Sequence, residues 1–329
     1  MRTANTDVDG LAYGDDYTSS NIAYGQVKGM DELTNRFANF IGSARKPRHS
    51  RVLEIGCYDG AFMSLLEKKY EFTMAGCEPC VAVAEEAKRK GYDVIPSAFN
   101  ASDYAELDMV IARNILEHIP SPGSFVRDIA STLKQDGSLV VEVPAGEYFI
   151  GNGILGTIVP EHPCYFGRKS LERLLEGYFA VVAVEEHGAT IRALASFPRE
   201  SDDSKDVIVD TTRLKGGGRT RQARYNAVQR AMRWENVDIF GANTCALELI
   251  ATGAIRVARI GRVYDDDPRK WDRYLVNTDR AVLPRNALKR WSFQPPRKVL
   301  VCSYTHRQSI AEYITKQNNT AVMLYGDNE

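Results

Sequence analysis

The residues with the clearest chemical potential follow an early apolar run, where residues 52–60 read Val-Leu-Glu-Ile-Gly-Cys-Tyr-Asp-Gly. Gly56 and Gly60 frame a turn between a predicted buried strand and a helix, and glycine there lets the backbone approach a ligand closely. The turn is neither a phosphate loop nor a dinucleotide fingerprint, because it lacks a Lys-Ser/Thr and the G-x-G-x-x-G spacing. Glu54 and Asp59 would repel a pyrophosphate. The turn therefore favours a ligand with a cationic amino-acid end and no phosphate, such as S-adenosylmethionine.

Further contacts to such a ligand are predicted at the ends of the next strands. Glu78 ends the second strand, where a carboxylate can accept hydrogen bonds from ribose hydroxyls. We expect an adenine ring to pack near Phe99, after the third strand, and Arg113 to end the fourth. The predicted cofactor-binding residues are Glu54, Gly56, Cys57, Tyr58, Asp59, Gly60, Phe62, Glu78, Pro79, Ala98, Phe99, Arg113 and Asn114.

The elements that must position these residues alternate along the chain. From Arg51 to about Pro198, short apolar runs typical of strands are followed by stretches with apolar residues three and four apart, typical of helices. This alternation predicts a parallel sheet covered on both faces. The pattern restarts near Val237. We expect four regions: an N-terminal segment over 1–50, a first α/β domain over 51–198, a basic linker over 199–236 and a smaller α/β domain over 237–329.

Composition narrows the class of protein. The 329 residues are 44% hydrophobic and 26% charged, as in globular enzymes. A formal charge of −1, from 42 basic and 43 acidic side chains, argues against a dedicated nucleic-acid binder. No apolar run approaches the length of a membrane span, and the N-terminus has no signal-peptide pattern. Six cysteines are too sparse for a disulfide framework, so we expect a reduced, cytoplasmic protein.

Taken in order, the strand-end residues resemble class I methyltransferases over about residues 50–145. Beyond them, residues 161–166 (Glu-His-Pro-Cys-Tyr-Phe) are similar to the E-H-x-x-Y-F segment of bacterial nucleotide-sugar C-methyltransferases, and residues 188–192 to the strand that follows it there. The aromatic and serine segment over 17–20 and the unit containing Phe240-Gly241-Ala242 and the acidic residues 265–267 resemble the same enzymes. Two features depart from them: no cysteine precedes Cys57, so their N-terminal zinc domain is missing, and residues 302–305 replace their Trp-Asn.

The resemblance implies a Rossmann-like class I methyltransferase domain followed by a smaller Rossmann-like α/β domain. It implies S-adenosylmethionine as cofactor, S-adenosylhomocysteine as product, and a small-molecule sugar or nucleotide sugar as substrate, methylated on carbon or on a ring hydroxyl. His162 is the preferred general base, with Glu161 and Tyr17 in support and His118 as the alternative. The predicted substrate-binding residues are Tyr165, Arg192, Gly241, Asn243, Asp265 and Tyr304.

No metal site is expected, since the pair Cys77 and Cys80 has no second cysteine pair to complete a zinc site.

Three alternative functions stay open. Seven basic side chains between 213 and 233 could serve a nucleic-acid methyltransferase, although the near-zero charge and the absence of an N/D-P-P-Y/F/W motif count against it. The chain could also be an O-methyltransferase of another small molecule, or a non-catalytic binding protein. The sequence makes no prediction of oligomeric state.

Overall fold

The computed structural model describes residues 30–154, 161–200, 225, 226, 228, 236–275, 278–291, 296–303 and 306–324. Predictions for Tyr17, for the basic side chains of the linker and for Tyr304 lie outside these residues. The chain divides into two compact units, Met1–Tyr148 with Pro160–Asp210, and Phe149–Val159 with Thr211–Glu329. Among the described residues, no helix is long and apolar enough to cross a membrane.

The first unit is built on a seven-stranded sheet. Its strands are β1 Arg51–Ile55, β2 Thr73–Cys77, β3 Asp93–Ile95, β4 Leu107–Arg113, β5 Leu133–Pro144, β6 Phe179–His187 and β7 Thr190–Pro198. Its helices are α1 Met30–Ile41, α2 Ala61–Tyr70, α3 Val81–Arg89, α4 Pro122–Thr132, α5 Gly146–Gly151, which runs into the second unit, and α6 Arg168–Glu176. The strand order is β3-β2-β1-β4-β5-β7-β6.

The sheet is mixed, where the sequence pattern predicted a parallel one. Strands β1 to β5 pair in parallel, but β7 runs antiparallel to both β5 and β6. The physical reason is the turn between His187 and Thr190, which leaves room for two residues only. Gly188 takes a positive φ of 57° there, and so short a connection can join only antiparallel strands. The apolar spacing over 124–137 predicts one continuous helix, but α4 ends at Thr132 and β5 begins at the next residue.

Apolar side chains cover both faces of this sheet. On one face, Phe37, Ala38 and Ile41 of α1 are fully buried in a cluster that includes Met63 and Leu66 of α2. A second cluster on the other face joins α4 and α6 to the central strands. The central strands are buried on both sides, and a parallel sheet forms its ligand crevice at the carboxyl ends of its strands.

The second unit repeats the parallel pattern on a smaller scale. Its strands are β8 Val237–Phe240, β9 Ile260–Asp265, β10 Val282–Pro284, β11 Lys298–Val301 and β12 Thr320–Met323, and its helices are α7 Thr244–Ala251 and α8 Arg307–Lys316. All five strands are parallel, in the order β10-β9-β8-β11-β12. Strands β10 and β12 are three and four residues long, too short for periodicity to reveal.

Candidate cofactor and acceptor site

The turn after β1 is held against the neighbouring strand β2. The backbone N–H groups of Gly56 and Cys57 both donate to the Cys77 carbonyl, at 2.8 and 3.1 Å. Gly56 and Gly60 take φ values of 72° and 75°, which side chains resist. A Cβ on Gly56 would lie 2.5 Å from Cδ1 of Ile115, so the glycine also satisfies a close approach. The sequence prediction of a tight glycine turn after a buried strand is confirmed.

Glu54 places a carboxyl group beneath this turn, inside the sheet. The residue is 4% exposed, and its Oε2 has no hydrogen-bond partner among the residues that the structure describes. Burial raises the pKa of Glu54 to about 8; Arg113 opposes the shift, while Asp59 and Glu78 add to it. An acid left without a partner at a strand end is costly unless a ligand supplies a donor or a positive charge.

Glu78, at the end of β2, ties two backbone segments together. Its Oε2 accepts from the Tyr58 N–H at 3.1 Å and its Oε1 from the Cys80 N–H at 2.9 Å. The side chain is buried, and burial raises the pKa of Glu78 against the pull of these two bonds. Each carboxylate oxygen keeps a second lone pair that can accept from a hydroxyl group.

The other predicted cofactor residues differ in their contacts within the protein and in their exposure. Asp59 accepts from the Ala61 N–H at 3.1 Å and pairs with Lys90 at 2.8 Å, so its carboxylate fixes the start of α2. Phe99 stacks on Tyr104, with ring centroids 5.8 Å apart. The rest are distributed around the turn and the ends of β2, β3 and β4: Cys57 and Phe62 are buried, Tyr58, Pro79 and Arg113 are half-buried, and Ala98 and Asn114 are exposed.

Two arginines converge on one buried glutamate at the same edge of the sheet. The Nε of Arg113 donates to Oε1 of Glu142 at 2.9 Å, and the Nε of Arg192 donates to Oε2 at 2.7 Å. The Phe37 ring lies 5.4 Å from one guanidinium and 5.8 Å from the other. Arg192, predicted to bind substrate, lines a cavity of about 260 Å³ with Thr190 while it holds Glu142.

Two histidines from separate segments meet: His118 follows β4, and His162 precedes α6. The ring centroids of His118 and His162 lie 4.7 Å apart, nearly perpendicular, and Tyr165 lies 6.1 Å from His162. Nδ1 of His118 is 2.9 Å from the Glu161 carbonyl oxygen. A carbonyl only accepts, so Nδ1 carries the proton and Nε2 is the free nitrogen. We expected the Glu161 carboxylate to hold His162; instead its main-chain carbonyl holds His118, and its side chain is exposed.

Electrostatics keep both rings neutral. Burial lowers the pKa of His118, with the Glu161 contact opposing it. Burial, together with the neighbouring His118, lowers the pKa of His162 to about 4. A neutral imidazole offers a lone pair to a proton or to another electrophile. The structure therefore brings His118, His162 and Tyr165 together.

The remaining predicted substrate residues lie in the second unit. Gly241 takes a φ of 108° in the turn after β8, and Asn243 begins α7 by accepting from two backbone N–H groups. Asp265 ends β9, where its Oδ2 accepts from the Ala242 N–H at 2.8 Å and pairs with Lys270 at 3.0 Å. These contacts account for the local fold around each residue.

Comparison with known proteins agrees with the geometry of the first unit. Residues 24–183 match the family model described as "Methyltransferase domain". The chain contains a class I S-adenosylmethionine-dependent methyltransferase domain. Its Rossmann-like fold, with interleaved helices and strands, is the one that the sequence predicted.

Individual relatives resemble this methyltransferase domain at low identity. Trans-aconitate 2-methyltransferase of Methylobacterium nodulans is 28% identical over 125 residues, which cover 36% of this chain and 47% of the relative. The match thus spans about half the length of that curated relative. A SAM-dependent methyltransferase from Archaeoglobus fulgidus is 17% identical, with a TM-score of 0.42, 50% of this chain and 93% of that chain covered. The PH0226 protein from Pyrococcus horikoshii is 14% identical, with a TM-score of 0.46 and coverage of 56% and 99%.

The residues at the edge of the methyltransferase domain fit S-adenosylmethionine. The buried, unpartnered oxygen of Glu54 suits a cationic amino group, which no phosphate ligand would supply. The positive φ at Gly56 leaves backbone, not side chain, facing the ligand crevice. Glu78 retains acceptor capacity for ribose hydroxyls. Glu54, the turn over 56–60 and Glu78 are the residues that would hold the cofactor.

Two buried glutamates of the methyltransferase domain were not predicted as site residues from the sequence. Glu142 lies between two arginines that are distant in sequence, and nothing in the run over 138–144 signals that contact. Glu117 is 3% exposed, and within the described part of the chain its Oε2 has no hydrogen-bond partner. The signal for Glu117 was available: a single acid in the apolar run Ile115-Leu116-Glu117-His118-Ile119 must be buried with it.

Proposed function

We propose that the protein transfers the methyl group of S-adenosylmethionine to a small sugar, in the first place a nucleotide-activated ketosugar. The observation that carries the proposal is the contact between two neutral histidines: His118, which follows β4, the strand beside β1, and His162, from the segment before α6. A ring hydroxyl, or a carbon beside a ketone, must lose a proton before it attacks a methyl group. The E-H-x-x-Y-F segment that contains His162 supports a sugar as the acceptor.

S-adenosylmethionine, when bound, supplies a methyl group activated by a sulfonium. The chain's own residues then have two tasks, to align the acceptor and to take its proton. His162 is the proposed base, because its low pKa leaves the ring unprotonated at neutral pH. His118 contacts this ring and is itself oriented by the Glu161 carbonyl, so it positions His162. Tyr165 and Arg192 are proposed to contact the acceptor, with Tyr17 in support of the base.

In this proposal the second unit binds the substrate's carrier through Gly241, Asn243, Asp265 and Tyr304. Whether carbon or oxygen is methylated depends on the acidity of the C–H or O–H group that the bound substrate presents to His162. A carbon next to a ketone gives an enolate, whereas a ring hydroxyl gives an alkoxide, and the same imidazole can accept either proton.

A second candidate function is O-methylation of a small carboxylic acid. It is favoured by the similarity to trans-aconitate 2-methyltransferase, 28% identical over 125 residues. A carboxylate is already ionised at neutral pH, so its methylation needs no base. Loss of the His162 imidazole therefore separates the two candidates: it disables sugar methylation and spares carboxylate methylation.

The test is a transfer assay with S-adenosylmethionine labelled in its methyl group. The acceptor panel contains nucleotide sugars with and without a keto group, and trans-aconitate. Mass spectrometry detects the added methyl group and NMR assigns it to carbon or oxygen. We expect a nucleotide ketosugar to be methylated by the wild-type protein and not by Gly56→Val. Methylation confined to the carboxylic acid would contradict the proposal.

A further inference from the structure

A cluster of three potential metal ligands lies at the histidine pair. The side chains of Glu117, His118 and His162 each place one nitrogen or oxygen atom within 4.8 Å of the other two. Glu117 and His118 belong to a 3-10 turn over Leu116–His118, whereas His162 comes from a loop 44 residues further along the chain. We expected no metal site from the sequence, because a second pair of cysteines was absent. This set of ligands is discontinuous in sequence, so no local motif indicates it.

The two segments that carry these side chains are fastened to each other. Nδ1 of His118 donates to the Glu161 carbonyl at 2.9 Å, and the backbone N–H of Cys164 donates to the Glu117 carbonyl at 3.2 Å. The Cys164 thiol donates to the Ile119 carbonyl at 3.3 Å. These bonds hold the three ligand groups near one another before any ion arrives, which reduces the ordering that binding would require.

Each ligand residue has a donor atom available to a metal ion. The Glu117 carboxyl group is buried, and among the described residues its Oε2 has no hydrogen-bond partner. Nδ1–H of His118 bonds to a main-chain carbonyl, an arrangement that leaves Nε2 free and is typical of metal-bound histidines. A ligand atom of His162 lies within 4.8 Å of those of the other two residues. Glu142, the acid nearest to Glu117 in charge interaction, is already held by Arg113 and Arg192.

We propose that Glu117, His118 and His162 form a binding site for a divalent transition-metal ion of the zinc class. One carboxylate and two imidazoles suit zinc, and hard ions such as magnesium prefer oxygen ligands. In a tetrahedral zinc site neighbouring ligand atoms are about 3.4 Å apart, so modest side-chain rotations would close the present cluster around an ion. Three protein ligands would leave the fourth position open.

The site has a consequence for turnover. An ion on His162 occupies the lone pair that would accept the proton of the acceptor. A zinc-class ion is therefore an inhibitor of methyl transfer to a sugar. This consequence rests on the proposed function, whereas binding of the ion does not.

The experiment measures metal binding alone, without cofactor or acceptor, so its failure is distinct from failure of the proposed function. Full-length protein is treated with a chelator, dialysed, and titrated calorimetrically with Zn²⁺. Co²⁺ is added separately, and its visible absorption reports tetrahedral coordination. We expect one Zn²⁺ per chain and an intense four-coordinate Co²⁺ spectrum. Glu117→Gln, His118→Ala and His162→Ala should each weaken Zn²⁺ binding at least roughly 10-fold, the cost typical of disturbing a metal's environment.

Two matched variants guard against other sites. His187→Ala removes an exposed histidine that pairs with Glu185, and Cys80→Ser removes a thiol of the C-x-x-C pair. Both should bind Zn²⁺ as the wild type does. Glu117→Gln keeps the shape of the buried side chain, and an unchanged metal-free melting temperature would show that it folds. Absence of stoichiometric binding, its survival in folded Glu117→Gln, or its loss in Cys80→Ser would overturn the proposal.

Discussion

The turns after β1 and β8 share one construction and differ in charge. In each, a glycine with positive φ follows a buried strand, and a carboxylate at the end of the neighbouring strand accepts from the turn's backbone. Glu78 does this in the first unit and Asp265 in the second. Each also accepts from the N–H two residues further on, at 2.9 Å in both cases.

The difference lies in what neutralises the acids. In the second unit Asp265 pairs with Lys270, and the buried Asp238 accepts from the Arg297 guanidinium at 3.0 Å and the Arg262 N–H at 2.9 Å. In the first unit Glu54 lies two residues before the turn glycine, whereas Asp238 lies three residues before Gly241, and among the described residues Oε2 of Glu54 has no hydrogen-bond partner. The two turns thus share a backbone construction, but the carboxylate at the second turn is paired with a lysine, whereas the first has a buried acid oxygen available to a cationic ligand. This difference favours the first turn as the site for S-adenosylmethionine.

The largest effect is expected at the glycine of the first turn. Gly56→Val forces a branched side chain into a φ of 72° and against Ile115, so we expect S-adenosylmethionine binding to be abolished. Gly241→Val strains the turn of the second unit in the same way, at a φ of 108°. Calorimetry should find its cofactor affinity unchanged. Wild-type affinity in Gly56→Val would break the assignment.

The next effect concerns the acceptor side of the first unit. His162→Ala should lower kcat for a sugar acceptor by roughly 10²–10⁴, the range of general-base catalysis, with little change in cofactor affinity. Glu161→Gln should cost less, since the side chain is exposed and only its carbonyl holds His118. His187→Ala, an exposed histidine outside the pair, should leave kcat unchanged. Steady-state kinetics that spare His162→Ala but disable His118→Ala would exchange their roles.

A smaller effect is expected at the two strand-end carboxylates. Glu78→Ala should weaken S-adenosylmethionine binding by about 1.5–3 kcal/mol, the range for a hydrogen bond with a charged group. The structure adds that Glu78 also holds the Tyr58 and Cys80 N–H groups, so Glu78→Gln, which can still accept, should recover part of the loss. Asp265→Ala makes the equivalent change in the second unit. Equal losses in Glu78→Ala and Asp265→Ala titrations would remove the distinction between the edges.

The smallest effect is a pH dependence of stability with opposite signs in the two units. The pKa of Glu54 is raised from 4.5 to about 8 by burial, so as pH rises through this window the unfolded chain ionises first and the free energy of unfolding falls. Glu54→Gln should reduce that fall; Glu117, with its pKa also raised by burial, contributes equally to both proteins. Urea unfolding across this pH range measures the difference. An identical slope in both proteins would argue against a protonated Glu54.

In the second unit Asp267 behaves in the opposite way. Burial would raise its pKa, but bonds to Arg269 outweigh burial and lower it from 3.8. The stability that Asp267 contributes is therefore present above pH 3.8 and is lost as pH falls below it. Asp267→Asn should weaken the chain at neutral pH and leave its stability in acid unchanged. A loss in acid as large as at neutral pH would contradict this sign.

The backbone conformation of the site was easier to predict from the sequence than the pairing of its charged side chains. The turn over 56–60 and Glu78 were predictable because glycine spacing and a strand-end acid are local signals. The antiparallel β7 was not, because its direction depends on one short turn. The Arg113–Glu142–Arg192 contact and the Glu117 cluster join residues far apart in sequence, and no local pattern encodes them. The packing of several strands determines which acidic side chains have an oxygen without a hydrogen-bond partner among the described residues.

The most direct test of the charge comparison is hydrogen exchange of the full chain with and without S-adenosylmethionine. The account predicts slower exchange in peptides covering residues 54–62 and 76–80, where Glu54, the glycine turn and Glu78 would meet the cofactor. Peptides covering 237–247 and 262–268, the same construction with its acids already paired, should exchange as in the free protein. Protection of the second unit's turn, without protection of the first, would contradict the account.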